Sequence, residues 1–367
     1  MPDRIETLQT KMIEKGLPLI AVPAGPDLSY FTGLDFHISE RPAVLLIAAI
    51  SKPAFIYPDF ETTKVKACRI PIEPFPYSEE RESWVQVFAQ ALQSLPENIQ
   101  KVGVNSTQMR YLEMDLLHQA NSELHFVASD ALFQSLRTRK DSSEVESIRK
   151  AIQIAEEAFR ETLKIIQPGR TEKEIAGELV VNLLRLGSDP ELPFSPIVAA
   201  GPNSANPHAV PSDRKLEQGD LVVIDWGARS NHYISDITRT LSIGQPDEKF
   251  SNMAQITKAA NEKARQTAKA GIPCNQVDEA ARAVISEAGM GEYFTHRTGH
   301  GIGMEAHEAP YIASDYPHEL EVGNTFTIEP GIYLPDEGGV RIEDNILITT
   351  VGAETLTTLS RELIIIK

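Results

Sequence analysis

Leu221-Val222-Val223-Ile224-Asp225-Trp226-Gly227-Ala228-Arg229-Ser230-Asn231-His232-Tyr233-Ile234-Ser235-Asp236-Ile237-Thr238 is the stretch that decides the fold. Apolar runs flank a polar Arg-Ser-Asn-His segment, the pattern of a β-hairpin, and each run carries one aspartate. With the turn centred on Ser230-Asn231, Asp225 falls directly opposite Asp236. Opposed residues share a face, with Cβ atoms about 5 Å apart. Asp225 ends an apolar run, where an unpaired carboxylate is costly to bury. Two such acids repel, and a bound cation removes the repulsion. The other reading is a pair of solvated carboxylates on an exposed face.

A second stretch repeats the logic. Glu329 follows Phe326-Thr327-Ile328, Glu343 follows Val340-Arg341-Ile342, and a loop centred on Asp336 sets the two glutamates opposite one another. Between the hairpins, Thr298-Gly299-His300-Gly301-Ile302-Gly303 holds a histidine among glycines. The glycines let backbone come close to a ligand and leave the imidazole open; a purely structural histidine is the alternative. This is no dinucleotide fingerprint, because the glycine spacing is wrong.

Asp225, Asp236, His300, Glu329 and Glu343 form an oxygen-rich, thiolate-free set. Such a set suits two hard or borderline divalent ions that share bridging carboxylates, and paired ions activate water for hydrolysis. Mn²⁺ suits these donors best, while Co²⁺, Zn²⁺ or Fe²⁺ fit the same groups. Two more histidines stand in polar context: His208 in Asn206-Pro207-His208-Ala209 and His307 in Glu305-Ala306-His307-Glu308. Each either holds a substrate carbonyl and its developing oxyanion or serves structure alone. No nucleophile elbow is present.

Outward from these motifs, Ser143-x-x-Glu146 predicts a capping box that opens a long helix ending at Pro168-Gly169, and Thr171-x-x-Glu174 caps the next one. Further helices are expected at 250–270 and 277–288, and strands at 221–225, 235–243, 325–333 and 340–349. Helices in one group and antiparallel hairpins in another describe an α+β catalytic half. The charged run Arg137-Thr138-Arg139-Lys140-Asp141 precedes it, giving domains 1–135 and 136–367. The first domain reads as α/β, with helices from Ile5 to Gly16 and at 83–95, and strands at 17–22, 43–49, 54–57, 102–104 and 124–127.

A length of 367 residues is long for one core and agrees with two domains. The formal charge of −17 argues against a nucleic-acid binder and offers no basic patch to an anionic membrane. Cys68 and Cys274 are far apart and belong to no Cys-x-x-Cys pair, so reduced, buried thiols are expected. Met1-Pro2-Asp3-Arg4-Ile5-Glu6 opens an amphipathic helix, not a signal peptide, and the longest apolar run, 42–50, is strand-sized. These features predict a cytoplasmic protein.

The motifs resemble the metallopeptidase family of methionine aminopeptidase, aminopeptidase P and prolidase, the pita-bread fold. The resemblance rests on Asp225-Trp226-Gly227, Tyr233-Ile234-Ser235-Asp236-Ile237-Thr238-Arg239-Thr240, His296-Arg297-Thr298-Gly299-His300-Gly301-Ile302-Gly303, Glu329-Pro330-Gly331-Ile332-Tyr333 and Val340-Arg341-Ile342-Glu343-Asp344. It runs from about residue 140 to the end. Tyr30-Phe31-Thr32-Gly33 lies in a part that resembles the smaller creatinase-type N-terminal α/β domain, which methionine aminopeptidase lacks. The resemblance implies that Asp225 binds one metal, that Asp236 and Glu343 bridge two, and that His300 and Glu329 complete the ligands of the second metal. It further implies that a hydroxide shared by the metals attacks the peptide carbonyl, with Glu329 as proton shuttle.

His208 and His307 match the family's substrate-facing histidines. Arg341, two residues before Glu343 and on the same face of its strand, is expected to hold either the substrate's carboxylate or an acid that backs the metal ligands. The implied substrate is a proline-containing di- or oligopeptide cut at Xaa-|-Pro. The length favours an Xaa-Pro dipeptidase. The alternatives are an Xaa-Pro aminopeptidase acting on longer peptides, or a relative that acts on a non-peptide small molecule. A homodimer is implied as well. In such dimers the N-terminal domain of one subunit approaches the other's active site, so loop 34–42, with Asp35, His37, Glu40 and Arg41, either caps that site or is an ordinary exposed loop.

Overall fold

An apolar stripe at Ile5, Leu8 and Met12 makes Arg4–Glu14 the first helix (α1). Gly16 follows in the left-handed region at φ 59°, which a glycine enters without steric cost. The computed structural model describes residues 4–367. The chain divides into two units, Met1–Arg137 and Thr138–Lys367.

The first unit continues through β1 (Leu19–Pro23), α2 (Pro26–Thr32), β2 (Val44–Ala48), β3 (Ala54–Pro58), α3 (Thr62–Val65), β4 (Glu73–Tyr77), α4 (Arg81–Gln93), β5 (Lys101–Val104), α5 (Tyr111–Ala120), β6 (His125–Ala128) and α6 (Asp130–Arg137). Its strands form one mixed sheet in the order β4-β3-β2-β1-β5-β6. β1, β2 and β3 are buried along their whole length, which is why they read as unbroken apolar runs. Trp84, Phe88 and Ala91 of α4 pack on the sheet. β4 escapes a sequence reading because Glu73-Pro74-Phe75-Pro76-Tyr77 holds two prolines, a composition confined to sheet edges, and it is an edge strand. In loop 34–42, Leu34 and Phe36 are buried, whereas Asp35, His37 and Glu40 are exposed and Arg41 pairs with Glu40 and Glu79.

The second unit opens with α7 (Ser142–Leu163) and α8 (Glu172–Arg185). The capping box of α7 is Asp141 with Glu144, two residues earlier than Ser143-x-x-Glu146 predicts. Asp141 accepts from the backbone N–H of Ser143 and Glu144, which a carboxylate does at least as well as a serine. Thr171 and Glu174 cap α8 as expected. Then follow β7 (Ile197–Ala200), β8 (Leu221–Trp226), β9 (Arg229–Ser230), β10 (Tyr233–Ile234), β11 (Ile237–Ile243), α9 (Glu248–Thr267), α10 (Cys274–Glu287), β12 (Gly299–Gly301), β13 (Glu308–Ile312), β14 (Thr325–Ile328), β15 (Gly331–Leu334), β16 (Gly338–Arg341), β17 (Asp344–Thr349), β18 (Gly352–Thr355) and β19 (Ile364–Ile366).

β19-β11-β8-β7 make one sheet, β13-β12-β14-β17-β18 another, and β9–β10 and β15–β16 are two-stranded ladders. α7 meets the first sheet through Trp226, whose indole N–H donates to the Ala155 carbonyl at 2.9 Å while its ring stacks on Phe159 at 4.4 Å. Met253, Ala260, Ala264, Val277, Ala281 and Ile285 of α9 and α10 share one core with Phe326, Ile328, Ile346 and Ile348 of the second sheet. Among the described residues no helix is long and apolar enough to cross a membrane. Cys274 is buried and Cys68 half-buried, both free.

Candidate active site

The first hairpin turns at Asn231 and His232, both at positive φ (50° and 70°). Two consecutive left-handed residues give the tight turn whose twist matches the flanking strands. The turn lies one residue beyond the position expected, and this changes the pairing. Asp225 faces Thr238, and Trp226 faces Ile237. The expectation that Asp225 directly opposes Asp236 is therefore corrected: Asp236 precedes β11 by one residue and is a diagonal neighbour on the same face. Asn345 holds it there, accepting from the Asp236 N–H at 3.1 Å and donating back to the Asp236 carbonyl.

The second hairpin is interrupted where its acids sit. The runs expected at 325–333 and 340–349 each split, at Glu329-Pro330 and at Ile342-Glu343. Ile328 pairs with Asp344 on one side of the gap and Gly331 with Arg341 on the other, so the register is unbroken and Glu329 lies across from Glu343. Their N–H groups bond to other segments, Glu329 to the Thr298 carbonyl at 2.7 Å and Glu343 to the Thr238 carbonyl at 3.1 Å. The ladder opens to let two further segments, one carrying His300 and one following Asp236, close on the same point.

His300 lies on β12 between Gly299 and Gly301. A Cβ on Gly299 would stand 1.9 Å from the Thr327 carbonyl oxygen, and one on Gly301 2.3 Å from that of Ala309. The glycines admit the neighbouring strands, not a ligand as the sequence reading expects. Buried Asp278 accepts from the Thr298 N–H and hydroxyl at 3.1 and 2.7 Å and steadies this segment.

All five residues line one cavity of about 790 Å³, together with His208, His307, Arg341, His296, Arg297 and Tyr311. His300 Nε2 is 3.2 Å from Glu329 Oε1 and 3.7 Å from Asp236 Oδ2. Asp236, His300 and Glu343 each offer a donor atom within 4.8 Å of the others. Asp225 Oδ2 accepts from Arg341 Nη2 at 2.7 Å, whereas its other oxygen is buried without a partner. Thr238, opposite Asp225, donates to Glu343 Oε2 at 2.7 Å.

Burial, then the neighbouring acids, push the carboxyls of Asp236 and Glu343 well above the usual range. Asp225 is also raised by burial, with Arg341 opposing. Burial raises Glu329 too, but its hydrogen bond to His300 and the positive charge of His300, His296 and Arg341 together outweigh this and hold it at about 2. Acids so close that they resist ionising together, with one oxygen left unpartnered, fit divalent cations as the missing counter-charge.

His208 stands exposed at the cavity wall. The His307 ring lies 4.1 Å from that of His300; burial, then the His300 charge, lowers its pKa to about 4. Tyr333 and His296 also belong to the site, although sequence reasoning gave them no role. The Tyr333 hydroxyl accepts from Arg341 Nη1 at 3.0 Å and lies 2.8 Å from His296 Nε2. Period-2 spacing from Glu329 was the one available hint for Tyr333.

A model of the Creatinase/Prolidase N-terminal domain matches residues 4–139, and one of metallopeptidase family M24 matches residues 146–350. An Xaa-Pro dipeptidase of Pyrococcus horikoshii is 36% identical over 365 residues, covering 99% of each chain. The crystal structure of recombinant prolidase from Thermococcus sibiricus superposes with a TM-score of 0.93 at 34% identity, over 99% of this chain and 98% of that one. X-Pro aminopeptidase from Thermotoga maritima gives 0.84 at 32% identity, over 96% and 98%. These likenesses confirm the pita-bread catalytic fold preceded by a creatinase-type domain, and they imply divalent metal ions. The matched unit is the one that gathers four carboxylates and a histidine in one cavity, and the protein is a metallopeptidase belonging to family M24.

Proposed function

We propose that the protein is an Xaa-Pro dipeptidase that uses two divalent metal ions, Mn²⁺ best suiting the donors. The observation that carries this reading is the convergence of Asp225, Asp236, His300, Glu329 and Glu343 on one cavity. Likeness to an Xaa-Pro dipeptidase along the whole chain supports the substrate class. Asp225, Asp236, His300, Glu329 and Glu343 would hold the ions. Bound ions supply Lewis acidity, which activates water and polarises the scissile carbonyl.

The remaining steps fall to the chain's own residues. Glu329, kept ionised by His300, accepts the water proton and passes it to the leaving proline nitrogen. His307, neutral at working pH, and His208 donate to the peptide carbonyl as its oxyanion develops. Proline offers no N–H, so its ring asks only for apolar wall, which Phe194 and Ile197 supply. This reading assigns catalysis to residues 136–367 of a cytoplasmic homodimer, with residues 1–135 as the accessory domain.

The likeness to X-Pro aminopeptidase favours a second reading, cleavage of longer peptides. Mn²⁺-loaded protein given Ala-Pro and Ala-Pro-Ala separates the two by released alanine. Cleavage of Ala-Pro is expected; activity on the tripeptide alone would make the protein an Xaa-Pro aminopeptidase, and activity on neither would end both readings.

A further inference from the structure

The cavity wall holds two guanidinium groups, Arg341 and Arg297, and their surroundings differ completely. Arg341 is 2% exposed and every one of its nitrogens is engaged. Nε donates to the Thr238 hydroxyl at 3.1 Å, Nη1 to the Tyr333 hydroxyl and the Pro207 carbonyl at 3.0 and 3.3 Å, and Nη2 to Asp225 at 2.7 Å. It is spent on holding Asp225.

Arg297 is half-buried, and among the described residues its side chain meets no carboxylate. Its guanidinium lies over the Tyr311 ring, 4.8 Å from the centroid, and Tyr316 braces that ring edge-on at 5.6 Å. A guanidinium laid on an aromatic face is fixed in orientation, yet keeps its in-plane N–H fork free to bind an oxyanion. A cationic fork preset in a substrate cavity, with no acid of its own, is matched by a carboxylate from the ligand.

The geometry points to Arg297 as the residue that reads the free C-terminal carboxylate of the substrate, stacked on Tyr311, and so selects dipeptides over longer chains. This rests on the Xaa-Pro dipeptidase reading and assigns the carboxylate to Arg297 instead of Arg341. An amidated or extended substrate presents no anion at that point, so it gains nothing from the arginine.

The test uses Mn²⁺-loaded full-length protein on Ala-Pro and on Ala-Pro amide. Wild type is expected to prefer Ala-Pro; Arg297→Met should lower kcat/KM for Ala-Pro by about tenfold or more, mainly through KM, and leave the amide within about twofold. Loss of activity on both substrates alike, or an unchanged preference, overturns the assignment while the dipeptidase reading survives. Wild type that cleaves neither substrate overturns that reading and this one together. A second measurement needs no variant: free proline should inhibit wild type about tenfold more strongly than prolinamide. Equal inhibition contradicts the inference.

Discussion

Glu343 and Asp344 adjoin in the chain and are equally buried, at 1% and 0% exposure, yet their surroundings are opposite. Asp344 accepts from Arg239 at 2.8 Å and from Arg361 at 2.6 Å. Burial alone would raise its pKa, but the two guanidiniums outweigh burial and lower it. Buried Asp27, in the first unit, is likewise met by Arg137 and Asn105 at 2.8 and 2.7 Å. Among the described residues, Glu343 receives only the Thr238 hydroxyl, and it looks towards Glu329 and Asp225. The chain gives guanidiniums to Asp344 and Asp27, whereas in the cavity Arg341 reaches one oxygen of Asp225 and Asp236 and Glu343 receive no such partner among the described residues. What the cavity lacks in positive charge has to arrive from outside the sequence, as the family's metal ions do.

The comparison is broken most severely from the paired side. Asp344→Ala leaves Arg239, 1% exposed, without its acid, and stranding one member of a buried pair costs about 3–5 kcal/mol. Urea unfolding of the metal-free protein should show that loss. A change below about 1 kcal/mol would mean that the backbone carbonyls around Arg239 suffice without the acid.

Glu343→Gln attacks the unpaired side and should behave in reverse. It removes one of several mutually repelling charges, so the metal-free fold keeps or gains stability. Activity should fall by more than about 100-fold, since even outer-shell changes at metal sites cost 10–100-fold. Bound Mn²⁺, measured by elemental analysis, should drop along with it. A variant that retains both metal and activity would remove Glu343 from the proposed ligand set.

How far the sequence foretold this depends on what each feature rests on. The four acids were legible because apolar runs ending in a carboxylate are costly in any fold, and His300 because glycines flank it. The symmetry of the second hairpin about Asp336 was legible as well, since its register follows from counting. The first hairpin was misjudged by one residue, because Asn231 and His232 at positive φ look no more turn-like than Ser230-Asn231 in a plain sequence. That shift alone placed Asp236 where Thr238 stands. The strand breaks at Glu329 and Glu343 were invisible, as they answer to bonds with Thr298 and Thr238, which are distant in the chain. Arg341's engagement with Asp225, itself one of the proposed metal ligands, was not among the options read for it, and Arg297 was quoted without a role, because its freedom is a matter of what surrounds it.

A pH series sharpens the same contrast with a smaller effect. Asp225, Asp236 and Glu343 have folded pKa values raised above the unfolded ones, chiefly by burial. Their contribution to stability is therefore complete below the ordinary carboxylate pKa of about 4 and is lost as pH rises through the raised values. Glu329, lowered to about 2, contributes oppositely, and its share is lost only in strong acid. Metal-free wild type should thus lose thermal stability as pH rises above the ordinary carboxylate range, and Glu343→Gln should flatten that slope. Divalent metal should stabilise more as pH rises, because binding has to displace the protons that the raised carboxyls hold in acid. Parallel slopes in wild type and variant would mean the repulsion at Glu343 is relieved by other means.

The mildest change falls on the link between the two kinds of acid. Tyr333 accepts from Arg341, so its single hydroxyl proton is left for His296 Nε2. His296 is then an acceptor at Nε2 and a donor at Nδ1, which lies 2.8 Å from the Arg297 carbonyl. Both nitrogens are occupied, and burial lowers the ring's pKa, so His296 stays neutral with no N–H to offer a substrate. The phenol, pushed up to about 12 by burial, keeps its proton throughout. Its work is to hold Arg341 against Asp225 and to fix the His296 tautomer. Tyr333→Phe removes two hydrogen bonds without a change of shape, which at about 1 kcal/mol predicts a fall of roughly five- to tenfold in kcat/KM. Metal content should remain that of wild type. A fall beyond about 100-fold, with the metal retained, would place the phenol on the reacting atoms and end its role as a support for Arg341.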